Sequence, residues 1–292
     1  MVYHALLGLI KEPFSTSPDP EFFYLTREHE MALTHILIDL RLRRGLSVIL
    51  GDIGTGKTTL SRKLVQELKK RPDILFHMIL NPDFENDRQL LVYLIRSFSV
   101  DIAPYQDVHE MDAVELRDAI ERFLIQKAVM ERKIVVLIID EAQKLDPSSL
   151  ESLRLLLNFE TNEYKLIQLV LLGQLELYAR LMTMTNFLDR ISFRYTLNPL
   201  DEKETRSMIH YRLVKAGYHL SHDLFQDEAI DAIYQYSLGY PRRVNMLCHK
   251  ILKELVVRQH TIVDRILVKE VIEREKLLWT ETPFIWHPQF AS

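Results

Sequence analysis

The stretch VILGDIGTGKTTLSRKLV, residues 48–65, constrains the fold of this chain more than any other segment. It joins an apolar run of strand length to a helical pattern through the spacing G-x-x-x-x-G-K-[ST]. The chain has only eight glycines, and three of them fall within these residues. Glycine allows the backbone to turn so that successive N–H groups converge on a phosphate at the start of a helix. The sequence therefore predicts a strand, a phosphate-binding loop and a helix, in that order.

The loop predicts a site for a nucleoside triphosphate and Mg²⁺. Lys57 is expected to reach the β- and γ-phosphates, and the Thr58 hydroxyl is expected to bind Mg²⁺. Chance would produce this pattern in roughly one chain in a hundred of this length, and seldom between a strand and a helix. The predicted nucleotide-binding residues of the loop are Gly51, Asp52, Ile53, Gly54, Thr55, Gly56, Lys57, Thr58 and Thr59.

A second motif, IVVLIIDEAQ at residues 134–143, supplies carboxylates. Asp140 ends an apolar strand, where its carboxylate can hold the Mg²⁺ shell. Glu141 follows it at the edge of the sheet where ligands bind, and can orient and activate an attacking water. Gln174 ends the next strand, in VLLGQLEL, and is placed either to hold that water or to sense the γ-phosphate.

Arginines follow these motifs in LDRISFRYTLNPL and GYPRRVN. Arg190 and Arg194, in the first segment, are candidates to stabilise transition-state charge on a neighbouring copy's phosphates. The alternative for both is a pair of solvated surface charges. In the second segment, Arg242 is the candidate to reach back to the γ-phosphate and couple the lid to the nucleotide state. The alternative for Arg242 and Arg243 is solvated surface charge, and it is the favoured interpretation of Arg243.

Strand and helix patterns alternate in the first two thirds of the chain and predict an α/β fold. Nearly all-apolar strands indicate a parallel sheet with helices on both faces. Beyond Pro199 the patterns are helical, and Asp201 and Glu204 have the spacing of a capping box. The predicted organisation is an extended N-terminal segment (1–26), a P-loop α/β ATPase domain (27–199), a helical lid domain (200–278) and a C-terminal tail (279–292).

Composition excludes several other classes. A single cysteine, Cys248, rules out an intrachain disulfide, and no apolar run approaches the ~20 residues of a membrane span. We therefore expect a soluble cytoplasmic protein without an intrinsic membrane span. The chain has no NKxD motif, which a GTPase switch protein would normally carry. The ~90 residues after Pro199 are too few for the second α/β domain that a DEAD-box helicase needs.

The net charge of −4 argues against binding nucleic acid through bulk charge, but local basic clusters remain candidates for contact with DNA. The alternative for each cluster is a solvent-exposed helix face without a binding role. The candidates are Arg41, Arg43 and Arg44, and also Lys63, Lys69, Lys70 and Arg71.

Taken together, the motifs resemble those of the AAA+ ATPases of the general secretion pathway protein A (ExeA) type. The resemblance covers about residues 3–275. The segments that carry it, in chain order, are PFSTSPDPEFFYLTREHEMAL, GDIGTGKTTL, VLIIDEAQKL, LRLLLNFET, LLGQLEL, RISFRYTLNPL and GYPRRVNMLC.

The resemblance implies an ATPase that forms a ring or filament and binds nucleotide between protomers. Residues 51–59 would be Walker A, Asp140 and Glu141 Walker B, and Gln174 sensor 1. Arg242 would be sensor 2. One or both of Arg190 and Arg194 would be the finger that acts on the neighbouring protomer.

Two residues depart from the pattern of this family. Leu175 stands where members usually have the proline of GQPEL, and Asp189 stands where they usually have glutamine before the first finger arginine. Neither departure touches the nucleotide-binding loop.

The resemblance leaves two biological roles open. Members of the family assemble secretins or pili at the inner membrane, which implies an envelope-assembly partner and a peripheral location reached through that partner. Related regulators of transposition act with double-stranded DNA and a transposase. The absence of a membrane anchor in the sequence favours the second role, and the acidic net charge favours the first.

Overall fold

The computed structural model describes residues 3–15, 20–102, 107–219 and 222–280. The chain divides into two compact units. One runs from Leu25 to Asn198, and the other combines the residues up to Tyr24 with those from Pro199 onward. The α-helices are α1 (Tyr3–Leu6), α2 (Arg27–Leu42), α3 (Lys57–Lys69), α4 (Asp87–Ser97), α5 (Ala113–Leu124), α6 (Pro147–Leu156), α7 (Leu175–Met182), α8 (Thr185–Leu188), α9 (Glu202–Lys215), α10 (Asp227–Ser237), α11 (Pro241–Val257) and α12 (Arg265–Thr280).

The unit from Leu25 to Asn198 is built on a five-stranded sheet. Its strands are β1 (Leu46–Gly51), β2 (Ile74–Ile79), β3 (Ile134–Ile139), β4 (Ile167–Gly173) and β5 (Ile191–Leu197). They lie in the order β2-β3-β4-β1-β5, and every pairing is parallel. The predicted α/β fold with a parallel sheet is confirmed. Since all strands run the same way, the carboxyl ends of β1, β3 and β4 meet at one edge.

The strands differ in burial according to their place in the sheet. β1, β3 and β4 are buried at every position, as their apolar sequences predict. β5 is an edge strand, and its residues alternate between half-buried and exposed until the last one. The central strands are therefore covered on both faces, as expected, whereas the edge strand β5 is partly exposed. The alternation of ISFRYTL is the local signal of a strand with one covered face.

Side-chain caps begin most helices of this unit. The side chains of Thr26, Asn86, Asp112 and Asp146 accept backbone N–H bonds at the first turns of α2, α4, α5 and α6. A π-helical turn (Ile125–Met130) extends α5, and a 3₁₀ helix (Ala142–Lys144) follows β3. One apolar core joins the buried strand side chains to α4, α5, α6 and α7.

The second unit is helical where it is described. Helices α9 to α12 pack around a separate core that includes Cys248, and burial raises the pKa of this thiol above its usual range. The predicted capping box at the start of α9 is confirmed, because Asp201 accepts from the Glu204 N–H and Glu204 accepts from the Asp201 N–H. None of the described helices is both long enough and apolar enough to cross a membrane.

The N-terminal segment is predicted to be extended over residues 1–26, and its described residues as far as Tyr24 pack within the helical unit. Phe14 is fully buried in the core of that unit. Arg212, on α9, donates to the carbonyls of Pro13 at 2.7 Å and Phe22 at 2.9 Å. It also donates to the carbonyl of Ser15 at 3.2 Å. These contacts lie far apart in sequence, so helical periodicity gives no sign of them. The predicted tail (279–292) lies almost wholly outside the described residues, which end at Thr280.

Replacing Arg212 with leucine should destabilise the helical unit. The side chain is 7% exposed, and its loss leaves three carbonyls without their donor, at a cost of about 3 kcal/mol in the free energy of unfolding. Urea unfolding measures this loss. Arg206→Leu is the matched control on the same helix, because its pairs with Asp227 and Asp231 lie at the surface and should contribute less than about 1 kcal/mol. Equal losses in the two variants would contradict a central role for Arg212.

Candidate nucleotide-binding site

The loop between β1 and α3 has the conformation that its glycines predict. Gly54 and Gly56 have φ angles of 86° and 102°, which residues with a Cβ rarely adopt. A Cβ on Gly51 would lie 2.7 Å from the Thr55 hydroxyl oxygen and 3.1 Å from the Leu197 carbonyl oxygen. Close packing of the loop against itself and against β5 therefore requires glycine at position 51.

Helix α3 begins at this loop without a side-chain cap. Its N-cap residue is Gly56, and no acidic residue lies in its first turn. The first N–H groups of a helix have no partner within the helix, and the helix dipole places partial positive charge there. The uncapped start of α3 thus fits an anion such as a phosphate group.

Lys57 is the first residue of α3 and is only 5% exposed. Its Nζ donates to the carbonyl oxygens of Gly51 at 2.8 Å and Asp52 at 3.0 Å. An ammonium group has three protons, so one remains for a further acceptor. Burial lowers the pKa of Lys57, and the carboxylates of Glu141 and Asp140 partly offset that effect.

Asp140 lies just beyond β3 and is 1% exposed. It accepts a hydrogen bond from the Glu141 N–H at 3.0 Å, and the Thr58 side chain lies beside its carboxylate. The Ser61 hydroxyl, which sequence reasoning did not single out, lies 3.4 Å from the Asp140 carboxylate. Burial raises the pKa of Asp140, and the nearby Thr58 side chain and the Glu141 N–H oppose the rise.

The structure therefore brings the two predicted Mg²⁺ ligands, Thr58 and Asp140, together. A hydroxyl and a carboxylate are the hard oxygen ligands that Mg²⁺ uses, alongside water and phosphate oxygens. No cluster of three or more His, Cys, Asp or Glu side chains suited to a metal occurs among the described residues.

Glu141 lies at the same edge of the sheet in a left-handed backbone conformation, with φ 53° and ψ 34°. This conformation is uncommon for a residue with a long side chain and is often found at functional sites. Its carboxylate accepts from the Gln143 side-chain amide at 2.7 Å. Gln143 in turn accepts from the backbone N–H of Gln174 at 3.1 Å. Gln143 thus joins the two predicted catalytic positions, although sequence reasoning overlooked it.

Gln174 is the N-cap residue of α7, and Leu175 occupies the first position of that helix. Proline is well tolerated at the first position, because the N–H there has no partner within the helix. The departure of Leu175 from the GQPEL pattern therefore leaves the start of α7 intact.

A buried histidine supports the nucleotide-binding loop from α2. His29 is 2% exposed, and its Nε2 lies 3.2 Å from the carbonyl oxygen of Thr55. Its Nδ1 lies 2.7 Å from the Thr26 hydroxyl, which also accepts the His29 N–H. These contacts fit a neutral imidazole that donates from Nε2 and accepts at Nδ1. A histidine 26 residues away from Thr55 gives no local signal of this contact.

His29 should make the stability of the α/β unit depend on pH. Burial lowers the pKa of His29 below its unfolded value of about 6.5. At lower pH the unfolded chain therefore binds more protons than the folded chain. The contribution of His29 to the free energy of unfolding is complete above about pH 6.5 and is lost as the pH falls through the lowered pKa of the folded state. We expect the Tm of His29→Gln to fall less between pH 7.5 and pH 5.5 than that of the wild type. His260→Gln changes an exposed histidine, and its Tm should fall with pH as that of the wild type does. If the Tm of His29→Gln fell with pH in parallel with the wild type, His29 would not be the source of the pH dependence.

Arg190 lies at the amino ends of the strands, whereas the nucleotide-binding loop lies at their carboxyl ends. It precedes Ile191, which pairs with Leu46 at the start of β1, whereas the loop follows Gly51 at the end of β1. At about 3.3 Å per residue, the two ends of β1 are roughly 16 Å apart, which is farther than an arginine side chain extends. Arg190 lines a cleft there together with Arg44, Arg154 and Lys165.

Arg194 lies in the middle of β5, opposite Val48 of β1. Its guanidinium group is 4.6 Å from the centre of the Tyr178 ring on α7, a distance at which a cation and an aromatic face attract. The structure therefore separates Arg190 and Arg194, which sequence reasoning treated as a pair.

Arg242 belongs to the helical unit, where it is exposed in the first turn of α11. Its neighbour Arg243 lies over the Tyr240 ring, 4.8 Å from its centre. The Arg243 guanidinium group therefore has an aromatic partner close by in the chain.

Several candidates for DNA contact have other partners. Arg43 donates to the carbonyls of Ala128 at 3.0 Å and Arg132 at 2.9 Å, and lies over the Tyr164 ring. The guanidinium group of Arg43 is therefore engaged within its own chain, and its contact with DNA stays a prediction. The second cluster is partly neutralised, because Lys63 and Lys70 pair with Glu67. Arg71 likewise pairs with Asp73.

Comparisons with known proteins agree with this geometry. An AAA domain family model matches residues 40–181, which contain the loop and both carboxylates. General secretion pathway protein A of Aeromonas hydrophila is 36% identical over 265 residues, which are 90% of this chain. The resemblance to that type of AAA+ ATPase is confirmed. The chain spans 46% of the length of this relative.

Solved structures show the same fold at low sequence identity. The Drosophila ORC bound to DNA has a TM-score of 0.66 and 19% identity, over 92% of this chain and 66% of that chain. Cdc6p from Pyrobaculum aerophilum has a TM-score of 0.65 and 17% identity, over 91% of this chain and 71% of that chain. The Aeropyrum pernix ORC2 protein, solved as ADPNP–ADP complexes, has a TM-score of 0.62 and 16% identity, over 89% and 72%. The fold of this chain is that of the AAA+ P-loop proteins.

Proposed function

We propose that this chain binds ATP with Mg²⁺ and hydrolyses the bond to the γ-phosphate. The observation that carries the proposal is the uncapped start of α3, with Lys57 at its first position and Asp140 beside Thr58. Fixed N–H groups and a buried ammonium suit a polyphosphate, and the adjacent oxygens suit its metal ion. The Mg²⁺ ion, when bound, would neutralise charge on the phosphate oxygens.

The remaining residues of the edge have complementary roles in this proposal. The carboxylate of Glu141 orients a water molecule and accepts its proton as it attacks the γ-phosphate. The amide side chain of Gln174 lies one strand away and contacts that water or the γ-phosphate. Lys57 and the loop N–H groups hold the phosphates in place while charge develops on them.

Calorimetric titration tests the binding step. Mg·ATP added to the purified, folded chain should release or absorb heat with a saturating profile, and inorganic phosphate should appear with time. Folded protein that gives no heat with either ATP or ADP in the presence of Mg²⁺ would overturn the proposal.

The position of Arg190 supports hydrolysis between copies of the chain. Because Arg190 lies roughly 16 Å from the loop edge of its own sheet, it can meet a nucleotide only on a neighbouring copy. A homo-oligomer, either a ring or a filament, would place it there. Arg194 is the second candidate for this role, although it lies over Tyr178 of its own chain.

Mixing of inactive variants tests this arrangement. Arg190→Ala should bind ATP but hydrolyse it at least about tenfold more slowly, since the transition state loses a charge from the neighbour. A mixture with Lys57→Ala should regain activity, because some interfaces then combine an intact loop with an intact arginine. Arg194→Ala, treated in the same way, shows which arginine acts. No recovery in either mixture would contradict action between copies.

For the biological role, we favour assembly of a secretion or pilus machine in the cell envelope. The similarity to general secretion pathway protein A supports this role. It is also supported by the hydrogen bonds that Arg43 makes within the chain and by the ion pair of Lys70 with Glu67, because both reduce the positive charge that is free to contact DNA. The chain would then act in the cytoplasm, and at the inner membrane through a partner protein.

The alternative is an ATPase that regulates transposition on double-stranded DNA. The fold it shares with the Drosophila ORC bound to DNA is the observation that favours it. Binding of labelled duplex DNA at low salt with ATP separates the two roles. Affinity that falls steeply with the logarithm of salt concentration would support phosphate contacts, and absence of binding would exclude the alternative.

A further inference from the structure

We propose that Gln143 is a positioning residue that fixes the direction of the Glu141 carboxylate and ties it to the start of α7. The inference rests on the proposed function, in which Glu141 activates water. Gln143 lies in the 3₁₀ helix that follows β3 and is half-buried. Its amide makes one contact with each of the two strand ends at the nucleotide edge.

The chemistry of its two partners determines the orientation of the Gln143 amide. The Glu141 carboxylate can only accept, and it lies 2.7 Å from the Gln143 nitrogen. The Gln174 N–H can only donate, and it lies 3.1 Å from the Gln143 oxygen. Reversing the amide would break both hydrogen bonds, so a single orientation satisfies the network.

The surroundings hold this amide in place. The Arg180 side chain, on α7, donates to the backbone carbonyl of Gln143 at 2.6 Å and also to the backbone carbonyl of Leu145, which holds the 3₁₀ helix that carries Gln143. A Cβ on Gly173 would lie 3.2 Å from the Gln143 amide oxygen and 2.7 Å from a methyl carbon of Leu177. The absence of a side chain at position 173 therefore makes room for the bridge from β3 to β4.

A carboxylate has two oxygens, and Gln143 holds one of them. No other side chain among the described residues donates a hydrogen bond to Glu141. The left-handed backbone of Glu141 sets where the side chain leaves the chain, and the Gln143 amide restricts the rotation of the carboxylate. Without this bond the carboxylate can rotate, and a general base that is displaced by about 1 Å can lose about a hundredfold in rate.

Gln143→Glu is the sharpest test, because it keeps the size of the side chain and an acceptor for the Gln174 N–H. It replaces the donor to Glu141 with a second carboxylate oxygen. We expect kcat to fall at least about tenfold while the Kd for Mg·ATP changes less than about threefold. Gln143→Ala should likewise lower kcat and leave the Kd for Mg·ATP almost unchanged, and it tests the role of Gln143 without adding a charge. Lys144→Ala, at the exposed next residue, should leave both constants near their wild-type values.

A double variant separates positioning from a general effect on structure. If Gln143 acts only through Glu141, then adding Gln143→Glu to Glu141→Gln should not slow single-turnover hydrolysis further. The exchanged amide and carboxylate can still bond each other, so the Tm should recover relative to Gln143→Glu alone. A kcat within twofold of wild type for both Gln143 variants would overturn the inference, as would an undiminished effect in the Glu141→Gln background.

These outcomes also distinguish the inference from the proposed function. A wild-type chain that does not hydrolyse ATP, or a Glu141→Gln variant that turns over at the wild-type rate, would remove the proposed function itself. An active wild type and an inactive Glu141→Gln, together with unaffected Gln143 variants, would remove only the inference.

Discussion

Lys57→Ala should weaken the binding of Mg·ATP about a hundredfold, a loss of about 2.7 kcal/mol. Charge-assisted bonds between an ammonium and phosphate oxygens are among the strong hydrogen bonds in proteins, and this ammonium is nearly buried. Alanine leaves no group that can replace it at the start of α3. Isothermal titration calorimetry measures the affinity, and release of inorganic phosphate should fall with it.

Two measurements make this result specific to Lys57. Lys69→Ala, at the exposed end of the same helix, should bind Mg·ATP as the wild type does. Because Lys57 also donates to the carbonyls of Gly51 and Asp52, circular dichroism must show that the variant remains folded. A folded Lys57→Ala chain with wild-type affinity would show that the loop is not a phosphate site.

Glu141→Gln should retain Mg·ATP and lose turnover. Removal of a general base typically costs between about 10² and 10⁴ in rate. The amide matches the carboxylate in size and cannot take a proton from water. We therefore expect kcat to fall at least about a hundredfold while the Kd for Mg·ATP changes little, so that ATP-bound protein accumulates. Rapid-quench assays and calorimetry measure the two quantities.

The control for this variant is Glu163→Gln, which alters an exposed carboxylate that precedes β4 and so lies away from the carboxyl ends of the strands. It should leave both constants unchanged. Hydrolysis by Glu141→Gln at the wild-type rate would move the catalytic base elsewhere on the sheet edge.

The sequence predicts where the strands that carry the site end. It does not predict which strand lies at the lateral edge of the sheet. The three strands that carry the predicted site are apolar throughout, and burial on both faces explains that composition. β5 is partly exposed, because it lies at the edge of the sheet with a single neighbouring strand. Its position at the edge depends on the order of all five strands, which no local pattern encodes.

The roles of charged residues were harder to predict. Arg43 stands in the sequence RLRR, which suggests a solvent-exposed cluster, but its left-handed backbone and its carbonyl partners beyond residue 127 give it a structural role. The N-terminal segment likewise depends on Arg212, almost 200 residues later. Such contacts become visible only when distant parts of the chain are placed side by side.

The sequence by itself determined the nucleotide-binding loop, since its glycines, Lys57 and Thr58 act through backbone geometry within a few residues. It also determined that Asp140 and Glu141 follow a buried strand. Only the tertiary structure decided which side chains complete that edge, namely Gln143 between two strand ends and His29 beneath the loop. The physical reason is that the first set depends on local backbone conformation, whereas the second depends on the register and order of strands far apart in the chain.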